Sequence, residues 1–256
     1  MKIRPAVLAL AIILGFAVTG CSKKDNEDSS APPEPTAVVD PATAGTITGT
    51  VTFDGKPPEY RAIDMSAEAA CVQENPKPVY PPVVILGSHG QLANAVVYIK
   101  SGLSPYKYDQ PTDPAVLDQK ACMYIPRILA LRTNQPFEIK NTDPVTHNVH
   151  PIPRDNKTWN RSLAAGSPPF MTKFPHPELA IPVVCNIHPW MRAYLFVFDN
   201  PYFEVTPDTG TFELKDVPPG TYTVEVWHER FGTLDQTVTI APKESKAISF
   251  KFADSN

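Results

Sequence analysis

From Gly45 onward the chain is written in short runs that alternate apolar and polar residues, broken about every ten positions by turn residues. "GTITGTVTFDGKPP" alternates and then turns at Asp54-Gly55. "NAVVYI" is a short apolar strand, and "PRILALRTNQPFEIKNTD" reads as two strands around Thr133-Asn134-Gln135. "IPVVCNI" and "MRAYLFVFD" are strands on either side of a Cys/His/Met cluster. "GTFELKDVPPGTYTVEVWHE" and "QTVTIAPKESKAISFKF" supply four more, with turns at Pro218-Pro219-Gly220 and Ala241–Ser245. A period of two puts alternate side chains on opposite faces, so each run buries one face of a sheet. No stretch keeps a helical period, and 30 prolines in 256 residues make long helices untenable. The expected fold class is all-β, built of sandwiches or barrels, with room for one large domain or two ordinary ones. Residues 151–180, rich in proline and weakly periodic, read as a long irregular excursion.

The first 44 residues belong to a different regime. Lys2 and Arg4 precede an apolar run from Ala6 to Ala17, followed by "VTGC". A basic start, an apolar stretch of about a dozen residues and a small-residue cleavage site make a secretory signal, too short to span a bilayer. Cys21 directly after Val18-Thr19-Gly20 resembles the lipobox of bacterial lipoproteins, which implies removal of residues 1–20, acylation of Cys21 and a lipid anchor. Ser22 in the next position implies sorting to the outer membrane, with the folded part in the periplasm. Residues 21–44, polar and without an aromatic, read as a disordered tether. Losing Lys2 and Arg4 leaves 21 basic residues against 27 acids, a net charge of −6 that gives nucleic acid no footing as a partner.

In an oxidising compartment Cys71, Cys122 and Cys185 cannot all pair. Either Cys185 is a metal ligand and Cys71 and Cys122 form a disulfide, or Cys185 pairs with one of them and a thiol is left over; the first leaves nothing unexplained. The metal reading comes from "CNIHPWM", where Cys185, His188 and Met191 fall within seven residues. Upstream, "THNVHP" offers His147 or His150. Residues three apart on a strand point to opposite faces, so only one of these histidines faces a given pocket. Two imidazoles, a thiolate and a thioether are the donors of a blue-copper site, a trigonal His₂Cys plane with a weak axial Met. Structural zinc would use Cys and His without Met. A c-type haem would need C-x-x-C-H, which is absent, and a Cys–His nucleophile pair has no use for the methionine.

These residues carry a resemblance. "DPVTHNVH", "KACMYIPRILALRTNQPFEIKN" and the short C-x-x-H-x-x-M loop together resemble the small cupredoxins, the amicyanin–plastocyanin branch above all and amicyanin in loop length. The resemblance implies a Greek-key β-sandwich over residues 106–205 and one type 1 copper held by His147, Cys185, His188 and Met191. It also implies that Asn148 ties the two ligand loops together by hydrogen bonds. Beside these, His150 reads as an outward or packing histidine, His176 as a loop residue with a looping-in role near the copper left open, and His89 and His228 as surface or strand-edge residues. Met171 and Met123 are expected in the core, and Pro189 and Trp190 over the histidine edge, as an apolar rim for a redox partner.

The flanks carry a second resemblance. Phe212 and Leu214, then Tyr222, Val224 and Val226, alternate across a Pro-Gly turn in a G-x-F-x-L-x-D-V-P-P-G-x-Y-x-V pattern. That pattern is similar to the carboxypeptidase regulatory-like sandwich, also called transthyretin-like or carbohydrate-binding-like. Residues 45–105 and 206–253 would form it, interrupted by the cupredoxin, and a Cys71–Cys122 bridge would staple the two. The expected function is electron transfer without substrate turnover, with a cytochrome or a dehydrogenase as redox partner. Two other readings stay open: a cell-envelope module that binds carbohydrate or protein, and copper storage or delivery.

Overall fold

The computed structural model of the protein describes residues 37–253. The expected signal segment, Cys21 and most of the tether lie outside them. Of the expected tether, residues 37–44 pack against the fold. Asp40 turns the chain through its carboxylate, which accepts the Ala42 N–H at 2.8 Å, and the Thr43 carbonyl accepts the Lys243 N–H at 3.0 Å. Among the described residues no helix is long and apolar enough to cross a membrane.

The architecture is all-β, with four sheets stacked as two sandwiches. The strands of the first sandwich are β1 (Gly45–Asp54), β2 (Val96–Ser101), β12 (Phe203–Val205), β13 (Thr211–Val217), β14 (Gly220–His228), β15 (Gly232–Ile240) and β16 (Ser245–Ala253). Their sheets run β13-β1-β16 and β12-β2-β14-β15. Those of the second are β3 (Ala115–Lys120), β4 (Met123–Ile125), β5 (Ile128–Arg132), β6 (Phe137–Asn141), β7 (His147–Pro151), β8 (Arg161–Leu163), β9 (Phe170–Thr172), β10 (Glu178–Val184) and β11 (Arg192–Phe198). They form sheets β4-β3-β6-β9 and β5-β11-β10-β7-β8. β12 lies on the metal-site side of the 205/206 boundary drawn from sequence, but it pairs with β2, because Phe203–Val205 register against Tyr98–Val96.

Alternation sets each core. Ile47, Val51 and Phe53 of β1 meet Val224 and Val226 of β14 and Phe250 of β16 inside the first sandwich. Leu117, Phe137, Ile139, Ile181, Leu195 and Val197 fill the second. A third apolar seam joins the two. On β2, Val97 and Ile99 face the first core while Val96 and Tyr98 face the other way. On β11, Leu195 and Val197 face inward while Phe196 and Phe198 point back toward β2. Trp227 of β14 closes this seam edge-on to Phe196 at 4.9 Å and to Tyr194 at 5.3 Å. Strands buried on both faces read as continuous apolar runs, as "VVYI" and "AYLFVF" do. A buried ion pair pins the same interface: Arg127 donates twice to Glu229, at 2.5 and 2.7 Å.

Four elements depart from the sequence reading. Residues 151–180, read as irregular, carry β8, β9 and the start of β10, because short edge strands pair there with β7 and β6. Ala69–Glu74 forms a six-residue helix, α1, too short to show a period. His228 is fully buried, stacked on Phe231 at 4.9 Å, where a surface or strand-edge position was expected. Its strand is interior to its sheet and its ring fills a gap among phenylalanines. Met171, expected in the core, is 51% exposed, because β9 sits at a sheet edge with that residue turned outward.

Candidate metal centre

The site lies at one end of the second sandwich, where two strand connections meet. β7 opens with His147; β10 ends at Val184 and hands the chain to the loop Cys185–Met191, which returns as β11. The loop is closed across its own neck. Cys185 N–H donates to the Met191 carbonyl at 3.2 Å, and Met191 N–H to the His188 carbonyl at 3.0 Å. That tight turn folds His188 back over Cys185.

The donor atoms of His147, Cys185 and His188 all lie within 4.8 Å of one another. The Nδ1 atoms of the two imidazoles face each other at 2.8 Å, and the Cys185 sulfur is 3.7 Å from His188 Nδ1. Two ring nitrogens at that distance must share one proton or one cation. All three residues are buried, and Met191 is fully buried in the same core cluster. The structure thus brings His147, Cys185, His188 and Met191 to one end of one sandwich. His150 is half-buried and turned the other way, its Nδ1 3.2 Å from Asn186 Oδ1; His176 and His89 are exposed. Alternation along β7 explains the split between the first two.

Asn148 bridges the two ligand segments. Its Oδ1 accepts the Asn186 N–H at 2.8 Å and lies 3.3 Å from the Cys185 sulfur, and its amide donates to Asn160 Oδ1 at 2.7 Å. The His188 N–H donates to the sulfur at 3.4 Å. Burial pushes the Cys185 thiol up. The His147 side chain and the backbone N–H groups of Asn148, His188 and Ile187 outweigh it and hold the thiol below its ordinary range.

Asp143, which sequence reasoning did not single out, is the other determinant. Its Oδ2 lies 2.8 Å from His147 Nε2, and both side chains are buried. Burial works against a charge on His147, but Asp143 and the Cys185 sulfur more than offset it and push the imidazole up to about 9. His188 goes the other way, lowered by burial and by the His147 charge. The outer nitrogen of His147 is therefore fixed by a carboxylate, which leaves Nδ1 directed at the site, the arrangement metal-binding histidines use. The signal was present in "NTDPVTH": an acid four residues before a ligand histidine, in a turn that Asn141 shapes by donating to the carbonyls of Val145 and Leu163 at 2.8 and 2.9 Å.

His188 presents its outer edge to Trp190, whose ring lies 5.1 Å away. Its Nε2 is buried with no hydrogen-bond partner among the described residues. Pro189 and Ile187 are exposed beside it. Cys71 and Cys122 form a disulfide, and Cys185 is the free cysteine among the described residues.

No protein-family model matches the chain. No curated protein matches it. Among solved structures, a Cu-containing nitrite reductase from Thermus scotoductus SA-01 aligns at 16% identity and a TM-score of 0.33, over 40% of this chain and 26% of that one. The present chain thus spans about a quarter of that enzyme's length. A purple cupredoxin from Nitrosopumilus maritimus aligns at 23% identity and TM-score 0.28, over 32% of this chain and 98% of that one. A reduced mutant of amicyanin aligns at 17% identity and TM-score 0.30, over 41% of this chain and 98% of that one. Similarity at this level carries no argument about function, and the reading below rests on the side chains.

Proposed function

We propose that this chain is a cupredoxin-type electron carrier, in which His147, Cys185, His188 and Met191 would hold one copper ion, on a lipid-anchored periplasmic protein. One observation carries the reading: two imidazole Nδ1 atoms and the Cys185 sulfur converge within 4.8 Å in a buried pocket. The residues fit the metal. Thiolate and thioether suit the reduced ion, and imidazoles suit the oxidised one. Bound there, copper would supply a one-electron couple.

The chain's own part is to hold the donors still. Asp143 fixes the ring of His147, Asn148 locks the two ligand segments together, and the neck of the Cys185–Met191 loop sets the distance of His188 from Cys185. Burial excludes water from the sulfur, so its chemistry is binding and not nucleophilic attack. A donor set fixed before the metal arrives requires little rearrangement when the electron comes or goes. Burial of all four donors also disfavours delivery, which needs an acceptor to reach the metal. Anchoring through Cys21, sorting to the outer membrane and a cytochrome or dehydrogenase as partner belong to the same proposal and rest on the sequence.

The test is the visible and EPR spectrum of the Cu(II)-loaded protein. An intense thiolate-to-copper band with narrow hyperfine splitting is expected, and Cys185→Ala should abolish the band. A colourless Cu(II) complex, or colour that survives Cys185→Ala, overturns the reading.

A further inference from the structure

Both imidazoles are linked to the backbone of Cys122, each through one intervening side chain. Cys122 sits in the turn between β3 and β4, fully buried and bonded to Cys71 on α1. Ala121 and Cys122 both lie in the left-handed region, at φ 51° and 56°. Residues with a Cβ avoid that region unless something holds them there.

This turn aims its N–H groups at one carboxylate. Ala121 donates to Asp143 Oδ1 at 2.5 Å and Cys122 to Oδ2 at 2.7 Å, and the same Oδ2 meets His147 Nε2. The other backbone group of Cys122 faces the second ligand. Its carbonyl accepts the indole N–H of Trp190 at 3.0 Å, and that indole packs on His188. The α1 side is fastened to the same turn a second time, as Asn75 donates to the carbonyls of Cys71 and Ala121 at 2.9 and 3.0 Å. The grouping of Cys122, Asp143 and His147 is therefore a support and not a second metal site, since the Cys122 sulfur is already spent in the disulfide.

We propose that the Cys71–Cys122 bridge is a positioning device of the metal centre: it pins the backbone of Cys122, which orients His147 through Asp143 and His188 through Trp190. The inference deepens the copper reading and rests on it for its role, but its geometry does not require the metal to be present. A disulfide that only stapled one segment to another would have no reason to place both backbone groups of one residue behind the two ligands.

The full chain carrying Cys71→Ser and Cys122→Ser together tests this. In the metal-free ¹⁵N-labelled protein, exchange of the His147 Nε2–H with water should quicken at least about tenfold as the carboxylate loosens. In the copper-loaded protein the thiolate band and the hyperfine splitting should shift, and copper should leave to a chelator about 10–100-fold faster, the usual effect of losing an outer partner of a ligand. Should the double serine variant not fold, Cys71→Ala with Cys122→Ala removes the same bond while keeping the buried site apolar, and the exchange is read there. A lower melting temperature with unchanged exchange, spectrum and chelation overturns the proposal and leaves a plain staple. Wild-type protein without a thiolate band defeats the copper reading instead, and the exchange measurement still decides the positioning.

Discussion

The two sandwiches share an architecture and differ in what they bury. The core between β1 and β14 is mostly hydrocarbon and aromatic, with Ile47, Val51, Phe212, Val224, Val226 and Phe250, while His228, Glu225 and Thr206 are buried polar groups of that half. The second buries Gln119, Asn141, Asp143, His147, Asn148 and His188 alongside its leucines and isoleucines. Polar groups removed from water must find partners or cost stability. Here the Cys122 N–H meets Asp143, Asp143 meets His147, His147 meets His188, Asn148 accepts the Asn186 N–H, and Gln119 and Asn141 donate to backbone carbonyls. One half is stable through area, the other through connectivity. The first tolerates changes of identity if volume is kept; the second tolerates few changes of identity at all.

The largest expected effect lies in the apolar half. Phe250→Ala should cost about 3–5 kcal/mol in urea unfolding while leaving the spectrum and affinity of the copper-loaded protein unchanged. Asn148→Ala removes far less volume, yet should lower copper affinity by about 10–100-fold, read by chelator competition. Equal effects of the two on the metal would erase the contrast. Next comes the contact that joins the halves. Arg127 and Glu229 keep only 10% and 6% of their side-chain surface, so Glu229→Ala strands a buried guanidinium and should cost about 3 kcal/mol. Replacing both residues by apolar ones should recover most of that, and failure to recover it would make the pair more than a mutual neutraliser.

The smallest effect is acid-sensitive. Burial pushes Glu178 up, but the N–H groups of Arg154, Asp155 and Asn156 and the Asn156 amide outweigh it and hold the carboxyl below its ordinary 4.5. A depressed folded-state value stabilises above the unfolded one and is lost as pH falls through the folded one. Glu178→Gln should therefore cost about 1–3 kcal/mol near neutrality and converge with wild type in strong acid. A melting temperature lowered equally at both pH values would show that the carboxylate's charge is not what fastens the 151–160 loop.

Much of this was legible in the sequence because periodicity and donor chemistry are local. Alternation located the strands, and the donors of "CNIHPWM" and "THNVH" named a site before any geometry. The long-range pieces were not legible. Nothing in "NAVVYI" says which sheet lies on its second face, although its unbroken apolar run is the trace of burial on both sides. Asp143 was not singled out because its role depends on Cys122, 21 positions away. Glu178 drew no reading because its partners are largely backbone N–H groups, which carry no sequence signature. His228 and Met171 were misjudged for one reason: strand position in a sheet, central or edge, decides burial, and a single strand does not encode it.

The parallel ladder between β1 and β16, from Thr46 with Ser245 to Asp54 with Ala253, has a consequence in time. A chain made from its N-terminus produces β1 long before the strands that flank it, β13 and β16. The ladders of β3 to β11, by contrast, all close within residues 115–198. Such local pairing is fast and long-range pairing slow, so the metal-bearing sandwich can pair its strands while β1 still waits, its edges open to foreign strands. The outer face of β11 stays partly bare until β14, made after it, pairs with β2 and the two cover Phe196 and Phe198. The proposed copper site can therefore assemble before the rest of the molecule is complete, and refolding kinetics should show the two events apart.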